Sequence, residues 1–170
     1  NRDTISVGLY QNPVIDLGPD TAVCQGTTVS FDAGNGFSTY NWNTGFNSMT
    51  LQTAVSGNYS VTVTDINGCQ AADSVILTVN QNPVPDLGPD VNICSNGSIL
   101  LFLNEPYREY IWTTGDTTEN ITVSVSGIYG VTVTDLNRCS GTDEITVGLN
   151  SSPDAGLPDS ASICNGGSLN

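Results

Sequence analysis

The sequence has almost no positive charge. Lysine and histidine are absent, and three arginines stand against 17 acidic residues, so the formal net charge at pH 7 is −14. This balance disfavours nucleic-acid binding, because phosphate contacts need lysine and arginine. The lack of histidine also removes the commonest general base and the commonest protein ligand for transition metals.

Long apolar runs are lacking as well. No stretch is long enough to predict a transmembrane span, and no signal peptide is visible. There is no nucleophile–base pair, no phosphate-binding loop and no carboxylate pair confined to one part of the chain, so we expect no enzymatic activity. The acidic surface is typical of a solubilising charge on an extracellular protein, and it makes Ca²⁺ the natural cation to consider.

What the sequence does contain is a tandem repeat. Residues 56–69, SGNYSVTVTDINGC, recur as residues 126–139, SGIYGVTVTDLNRC, at an offset of 70 residues (126 − 56) and without a gap. The same offset relates NPVIDLGPD to NPVPDLGPD and YNWNTG to YIWTTG. The chain is therefore divided into one complete repeat at residues 12–81 and a second at residues 82–151.

Each repeat shows the alternation that is typical of β-strands. Tyr59, Val61 and Val63 alternate with polar residues, as in a half-buried strand. The Asp-x-Asn-Gly that follows predicts a hairpin turn. Seven short strands are predicted in the first repeat, near residues 14–16, 21–24, 27–32, 39–43, 51–55, 59–64 and 74–79. This pattern predicts an all-β fold of tandem immunoglobulin-like sandwiches, which stiff Asn-Pro and Gly-Pro linkers would hold as an extended rod.

The predicted core consists of the apolar residues that point to one side of these strands. In the first repeat they are Val29, Phe31, Tyr40, Trp42, Leu51, Tyr59, Val61, Val63, Val75 and Leu77. In the second they are Ile99, Leu101, Tyr110, Trp112, Ile121, Tyr129, Val131, Val133, Ile145 and Val147. A core of this size is small, so a covalent staple is expected.

The two ends match parts of the same repeat. DTISVGLYQ resembles DSVILTVNQ, so we expect residues 1–11 to be the last strand of a preceding repeat. Residues 152–170 match the opening of a following one. We interpret the chain as a window on a longer repeat protein, whose neighbouring repeats are its immediate partners. The alternative is strand exchange, in which the terminal strand of one chain completes a neighbour.

The chain also resembles a known family. The segments LGPDTAVCQGTTVSFDAGNG, YNWNTG and SGNYSVTVTDINGC resemble the tandem immunoglobulin/PKD-like repeats of giant Bacteroidetes cell-surface proteins, which include gliding-motility adhesins and other cargo of the type IX secretion system. The resemblance covers the whole chain. It implies a secreted or surface-anchored protein without enzymatic activity, with a surface or glycan ligand that the sequence does not identify.

Two functional hypotheses follow. The first is a structural or adhesive repeat segment of a long extracellular surface protein or filament shaft. The second is an immunoglobulin-like spacer or carbohydrate-binding module of a secreted multidomain hydrolase.

The cysteines predict disulfides and an oxidising, extracellular setting. The period maps Cys24 onto Cys94 and Cys164, and it maps Cys69 onto Cys139. Pairing within a repeat would join Cys24 to Cys69. In an immunoglobulin strand order these two positions lie at opposite poles, roughly 25–30 Å apart, whereas a disulfide needs a Cα separation of about 4.4–6.8 Å. Strand polarity therefore favours a bond between repeats, Cys24 with Cys139.

Oxygen ligands recur in the loops. Asp86, Asp135 and Asn137 are predicted to converge near one pole of the second repeat, where they would form a Ca²⁺ site at a domain junction. The alternative interpretation is that turns favour these residue types for their own backbone geometry.

The family resemblance further implies a modification. O-glycosylation in Bacteroidetes uses Asp followed by Ser or Thr and then a small or aliphatic residue or Thr, and the motif occurs at five places in this sequence. The implied acceptors are Thr4, Thr21, Ser74, Thr117 and Ser160.

Overall fold

The computed structural model describes residues 3–5 and 7–150. Two compact units form within them. The first comprises the described residues up to Val84 together with Tyr107–Glu109 and Val133–Gly141. The second comprises Pro85–Pro106, Tyr110–Thr132 and the described residues from Thr142 onwards. Within the described ranges, no helix is long and apolar enough to cross a membrane.

The first repeat forms two antiparallel sheets with one parallel edge strand. Its strands are β1 (Thr21–Cys24), β2 (Val29–Asp32), β3 (Thr39–Trp42), β4 (Thr50–Thr53), β5 (Gly57–Thr64) and β6 (Gln70–Asn80). One sheet has the order β1-β6-β5-β3 and the other pairs β2 with β4. Strand β1 runs parallel to β6, and the remaining pairs are antiparallel. This arrangement is an immunoglobulin-like sandwich.

The second repeat has the same topology. Its strands are β7 (Val91–Cys94), β8 (Ile99–Phe102), β9 (Glu109–Trp112), β10 (Asn120–Val123), β11 (Gly127–Thr134) and β12 (Ser140–Asn150). The sheets have the orders β7-β12-β11-β9 and β10-β8. The prediction of an all-β chain with two immunoglobulin-like sandwiches of about 70 residues in tandem is confirmed by this topology. The boundaries of the repeats stay a prediction.

The hydrophobic core follows the alternation along the strands. On β5, every second residue from Tyr59 to Val63 is buried, because successive side chains of a strand point to opposite faces of the sheet. The predicted core residues of the first repeat are buried or pack against the buried cluster. Buried hydrophobic residues that the predicted core did not include are Ala33, Ile93, Leu103, Val123 and Cys139.

The predicted strand near residues 14–16 is wrong. Residues 7–20 form no strand, so the first repeat has six strands instead of the seven predicted. Residues 81–90 form no strand either, and the described residues of the second repeat also form six strands. Pro13 and Pro19 lack the N–H that a ladder needs. The segment is held by a side chain instead, since the Leu17 N–H donates to Asp73 Oδ2 at 2.7 Å.

Candidate functional site at the Cys24–Cys139 disulfide

Cys24 is the last residue of β1 and is positioned by the parallel pairing with β6. The register places it opposite Asn80. The chain then turns, with the Gln25 N–H donating to the Asn80 carbonyl at 2.8 Å and the Thr27 N–H donating to the Cys24 carbonyl at 3.1 Å. Gly26 has a φ of +90° within this turn, a conformation that glycine adopts without steric cost. Cys24 and this turn, residues 24–27, are called the turn half-site below.

Cys139 closes the hairpin between β11 and β12. The Cys139 N–H donates to Asp135 Oδ1 at 2.8 Å, and the Asp135 N–H donates to the Cys139 carbonyl at 2.9 Å. Arg138 has a φ of 67°, which is uncommon for a residue with a Cβ atom. Residues 135–139 are called the hairpin half-site below. The Asp135 carboxylate fixes this loop by accepting a backbone hydrogen bond, as is common for aspartate in turns.

The two half-sites are joined covalently. Cys24 and Cys139 form a disulfide with a Cα–Cα distance of 5.4 Å across a sequence separation of 115 residues. Cys139 has no exposed surface. Both cysteines lie in the first compact unit, which includes Val133–Gly141, although the sequence period assigns Cys139 to the second repeat. The predicted bond between repeats is confirmed.

The strand register explains why pairing within the first repeat fails. Cys24 lies opposite Asn80 near one end of β6, whereas Cys69 directly precedes Gln70 at the other end. Eleven residues of strand (80 − 69) separate the two levels, or about 36 Å at 3.3 Å per residue. A disulfide between Cys24 and Cys69 would therefore require unfolding of β6.

The remaining cysteines differ from the bonded pair. Cys69, which is partly buried, and Cys94, which is exposed, are free thiols in the part of the chain that the structure describes. Their predicted participation in disulfides therefore stays a prediction. Cys164 lies outside the described residues.

The predicted calcium ligands have other uses in the described structure. Asp86 Oδ1 accepts the Gly88 N–H at 2.8 Å, and Asp135 is engaged in the hairpin half-site. Asp86 belongs to the second unit, whereas Asp135 and Asn137 belong to the first. Among the described residues, no group of three His, Cys, Asp or Glu side chains could hold a metal ion. The Ca²⁺ site stays a prediction.

Four further aspartates are structural, and the sequence interpretation missed their role. Asp20 Oδ1 accepts the Ile76 N–H at 2.8 Å, while Asp73 Oδ2 accepts the Leu17 N–H. The second repeat reproduces both bonds, with Asp90 accepting from Thr146 and Asp143 accepting from Leu87. In the sequence these aspartates show only the 70-residue repeat, Asp20 with Asp90 and Asp73 with Asp143, which does not identify their backbone partners.

The implied glycosylation acceptors differ in exposure. Thr4, Ser74 and Thr117 are exposed. Thr21 is half-buried, and its hydroxyl donates to the Pro19 carbonyl at 3.1 Å. Ser160 lies outside the described residues. O-glycosylation stays a prediction, with three acceptors accessible to a transferase.

Two clefts lie in the second unit. One has a volume of about 250 Å³ and is lined mainly by Leu87, Ile99 and Leu101 beside Asp86. Another, of about 350 Å³, contains Asp143 and Glu144. The Asp143 carboxylate of this cleft accepts the Leu87 N–H at 2.7 Å.

Comparison with known proteins finds similarity only among solved structures. No protein-family model matches the sequence, and no curated protein does. The insect immune protein hemolin is similar over 83% of this chain and 48% of its own, with 17% identity and a TM-score of 0.46. An I-band fragment of titin is similar over 84% of this chain and 67% of its own, with 12% identity and a TM-score of 0.44.

Murine CEACAM1b is similar over 76% of this chain and 96% of its own, with 12% identity and a TM-score of 0.37. The chain thus spans about half the length of the hemolin chain that it resembles. The assignment of the fold rests on the strand order and register of this chain.

Proposed function

We propose that this chain is a non-enzymatic structural or adhesive segment of a long extracellular surface protein, in which a disulfide between repeats resists unfolding. The observation that carries the proposal is the Cys24–Cys139 bond. It closes most of the length of both repeats into one covalent loop, so unfolding of either repeat cannot extend the residues inside the loop. Such a bond persists in oxidising compartments, which supports a secreted or surface location.

The family resemblance supports the finer form of this proposal. A gliding-motility-adhesin-like protein, exported by type IX secretion and displayed on a bacterial surface, has to bear load along its chain. Two small sandwiches have limited cores, and a covalent link offsets that limit. The alternative of a carbohydrate-binding module receives less support, because Trp42 and Trp112 are buried and are therefore unavailable for stacking on sugars.

The proposal is tested by pulling single molecules of the chain from both ends. In the oxidised chain, the bonded cysteines have a sequence separation of 115, and the loop between them would contribute about 400 Å of contour length at roughly 3.6 Å per residue. We expect this length to be hidden until a reductant is added. The Cys24→Ser/Cys139→Ser variant should release it without reductant.

Two results would contradict the proposal. The first is equal extension of the oxidised chain and the double variant, which would show that the bond carries no load. The second is hydrolysis of a glycan or another substrate by the isolated chain, which would contradict the non-enzymatic part of the proposal.

A further inference from the structure

The two free cysteines occupy the same two positions as the bonded pair. Cys94 lies 70 residues after Cys24 (94 − 24), so it belongs to a turn half-site in the second repeat. Cys69 lies 70 residues before Cys139 (139 − 69), so it belongs to a hairpin half-site in the first repeat. The disulfide between Cys24 and Cys139 shows directly that these two kinds of half-site bond to each other.

The free turn half-site has the backbone arrangement of the bonded one. The Gly97 N–H donates to the Cys94 carbonyl at 2.8 Å, as the Thr27 N–H does to Cys24. The Ser95 N–H donates to the carbonyl of Asn150, a residue that is equivalent to Asn80. Asn96, at the position of Gly26, also has a positive φ, of 69°.

The free hairpin half-site is also formed without a bond. The Cys69 N–H donates to Asp65 Oδ1 at 2.8 Å, and the Asp65 N–H donates to the Cys69 carbonyl at 2.9 Å. Both distances equal those in the hairpin of Cys139. A binding surface that is already ordered loses little conformational entropy when its partner arrives.

Solvent exposure distinguishes the free half-sites from the bonded ones. Cys139 is fully buried, but its equivalent Cys69 is only partly buried. Cys24 is half-buried, but its equivalent Cys94 is exposed. The free cysteines therefore expose surface that is buried at the equivalent bonded cysteines, and each free thiol is accessible to a partner.

We propose that Cys94 and Cys69 are complementary halves of the same inter-repeat bond, and that Cys94 of one copy of the chain bonds to Cys69 of a second copy wherever no further repeat of the same chain occupies these half-sites. A second copy fits because it carries the missing half for each free thiol. The contact is heterologous, since it joins two different surfaces, so each dimer keeps one free half-site of each kind. Such contacts propagate into open filaments or close into rings.

The bond forms by thiol–disulfide exchange with a small disulfide such as oxidised glutathione. One cysteine thiolate attacks a glutathione sulfur, forming a mixed disulfide and releasing one reduced glutathione. The second cysteine thiolate then attacks the protein sulfur of that mixed disulfide and releases the second reduced glutathione. Two protein thiols are oxidised, one glutathione disulfide is reduced to two thiols, and the two thiol protons are transferred to the glutathione products or to solvent.

Mixed monothiol variants give the sharpest test. On a Cys164→Ser background, the Cys69→Ser chain retains only the free turn half-site, and the Cys94→Ser chain retains only the free hairpin half-site. In a glutathione redox buffer, we expect each alone to remain mainly monomeric. Their mixture should give a reductant-sensitive heterodimer, well above the half of all dimers that random pairing would yield. The chain with both thiols should form a ladder of oligomers.

Peptide mapping identifies the bond. Cleavage before aspartate places Cys69 in residues 65–72 and Cys94 in residues 90–115, and these peptides should be recovered as one cross-linked species. The same map must still contain the Cys24–Cys139 link, which controls for refolding. Homodimers in random proportion, or no dimer at all, would overturn the proposal. The pulling experiment is independent, because it concerns only the bond already formed.

Discussion

The bonded and free cysteines differ in their partners more than in their own local structure. Cys24 and Cys94 end equivalent strands, and Cys69 and Cys139 close equivalent hairpins. Among the cysteines that the structure describes, only the turn position of the first repeat and the hairpin position of the second are joined. The fold of one repeat therefore builds two half-sites at opposite ends of its long strand, and a bond requires two repeats.

The repeats also differ in how they hold the shared fold. Thr53 in the first repeat is replaced by Val123 in the second, and Gly68 is replaced by Arg138. The hairpin has the same left-handed backbone conformation with either residue, since φ is 84° at Gly68 and 67° at Arg138. Hydrogen bonds that recur in both copies therefore define the fold, and those found in one copy alone adjust its stability.

Loss of the bonded pair should have the largest effect. We expect the Cys24→Ser/Cys139→Ser variant to lose about 4–5 kcal/mol of unfolding free energy, the chain-entropy value for a loop of about 100 residues. Chemical denaturation followed by tryptophan fluorescence measures it. The matched control is Cys94→Ser, which removes an exposed free thiol and should leave the stability unchanged. Equal losses in both variants would break the distinction between bonded and free cysteines.

Removal of the recurrent carboxylates should have the next largest effect, and it should be similar in the two repeats. Asp73→Ala and Asp143→Ala each leave a backbone N–H at 2.7 Å without its acceptor. We expect each to cost about 1–3 kcal/mol, measured by thermal and chemical unfolding.

A conservative change provides the control for these two substitutions. Asp73→Asn keeps an oxygen acceptor and should retain most of the stability. A cost in only one repeat would show that the shared hydrogen bonds are not equivalent.

Removing the tyrosine hydroxyls of β5 and β11 should lower the unfolding free energy by a smaller amount, and the loss should differ between the two repeats. The Tyr59 hydroxyl donates to the Val55 carbonyl at 2.7 Å and is also 2.7 Å from Thr53 Oγ1. The Tyr129 hydroxyl donates to the Val125 carbonyl, and Val123 offers it no hydroxyl. At about 1 kcal/mol per bond, Tyr59→Phe should cost roughly twice as much as Tyr129→Phe in urea unfolding. A larger cost for Tyr129→Phe would contradict this account.

Replacing two exposed apolar residues of the second repeat by their equivalents in the first repeat should have the smallest effect on stability. Leu100 and Phe102 on β8 are 50% and 53% exposed, and the first repeat has Ser30 and Asp32 at these positions. The Leu100→Ser/Phe102→Asp variant should change the unfolding free energy by less than about 0.5 kcal/mol per residue. Its retention on a hydrophobic-interaction column should fall. A large loss of stability would show that this face is part of the core.

The sequence was sufficient to predict the strands that alternate and the pairing that depends on polarity. The β5 pattern and the 70-residue offset located the core. The expected strand polarity placed Cys24 and Cys69 at opposite poles of the first repeat, which disfavoured a disulfide between them. The strand near residues 14–16 was predicted wrongly, because its apolar residues resemble a strand while its attachment comes from Asp73. Contacts such as that of Asp73 with Leu17 span 56 residues and leave no periodic signal along the chain.

The sequence alone also did not show which cysteines are free thiols. All five cysteines share one pattern, and only the geometry shows that Cys69 and Cys94 lack a partner within the described chain. Likewise, the aspartate and asparagine pattern that predicts calcium is the pattern that turns need. The structure shows Asp86 and Asp135 accepting backbone hydrogen bonds, as the turn interpretation expects, and the Ca²⁺ site stays a prediction.

The most direct test of the central claim is a disulfide map of the non-reduced chain. Cleavage before aspartate places Cys24 in residues 20–31, Cys69 in residues 65–72 and Cys139 in residues 135–142. Mass spectrometry should find 20–31 linked to 135–142, and reduction should separate them. A link between 20–31 and 65–72 would contradict the account, because that bond cannot form while β6 separates the two ends of the first repeat.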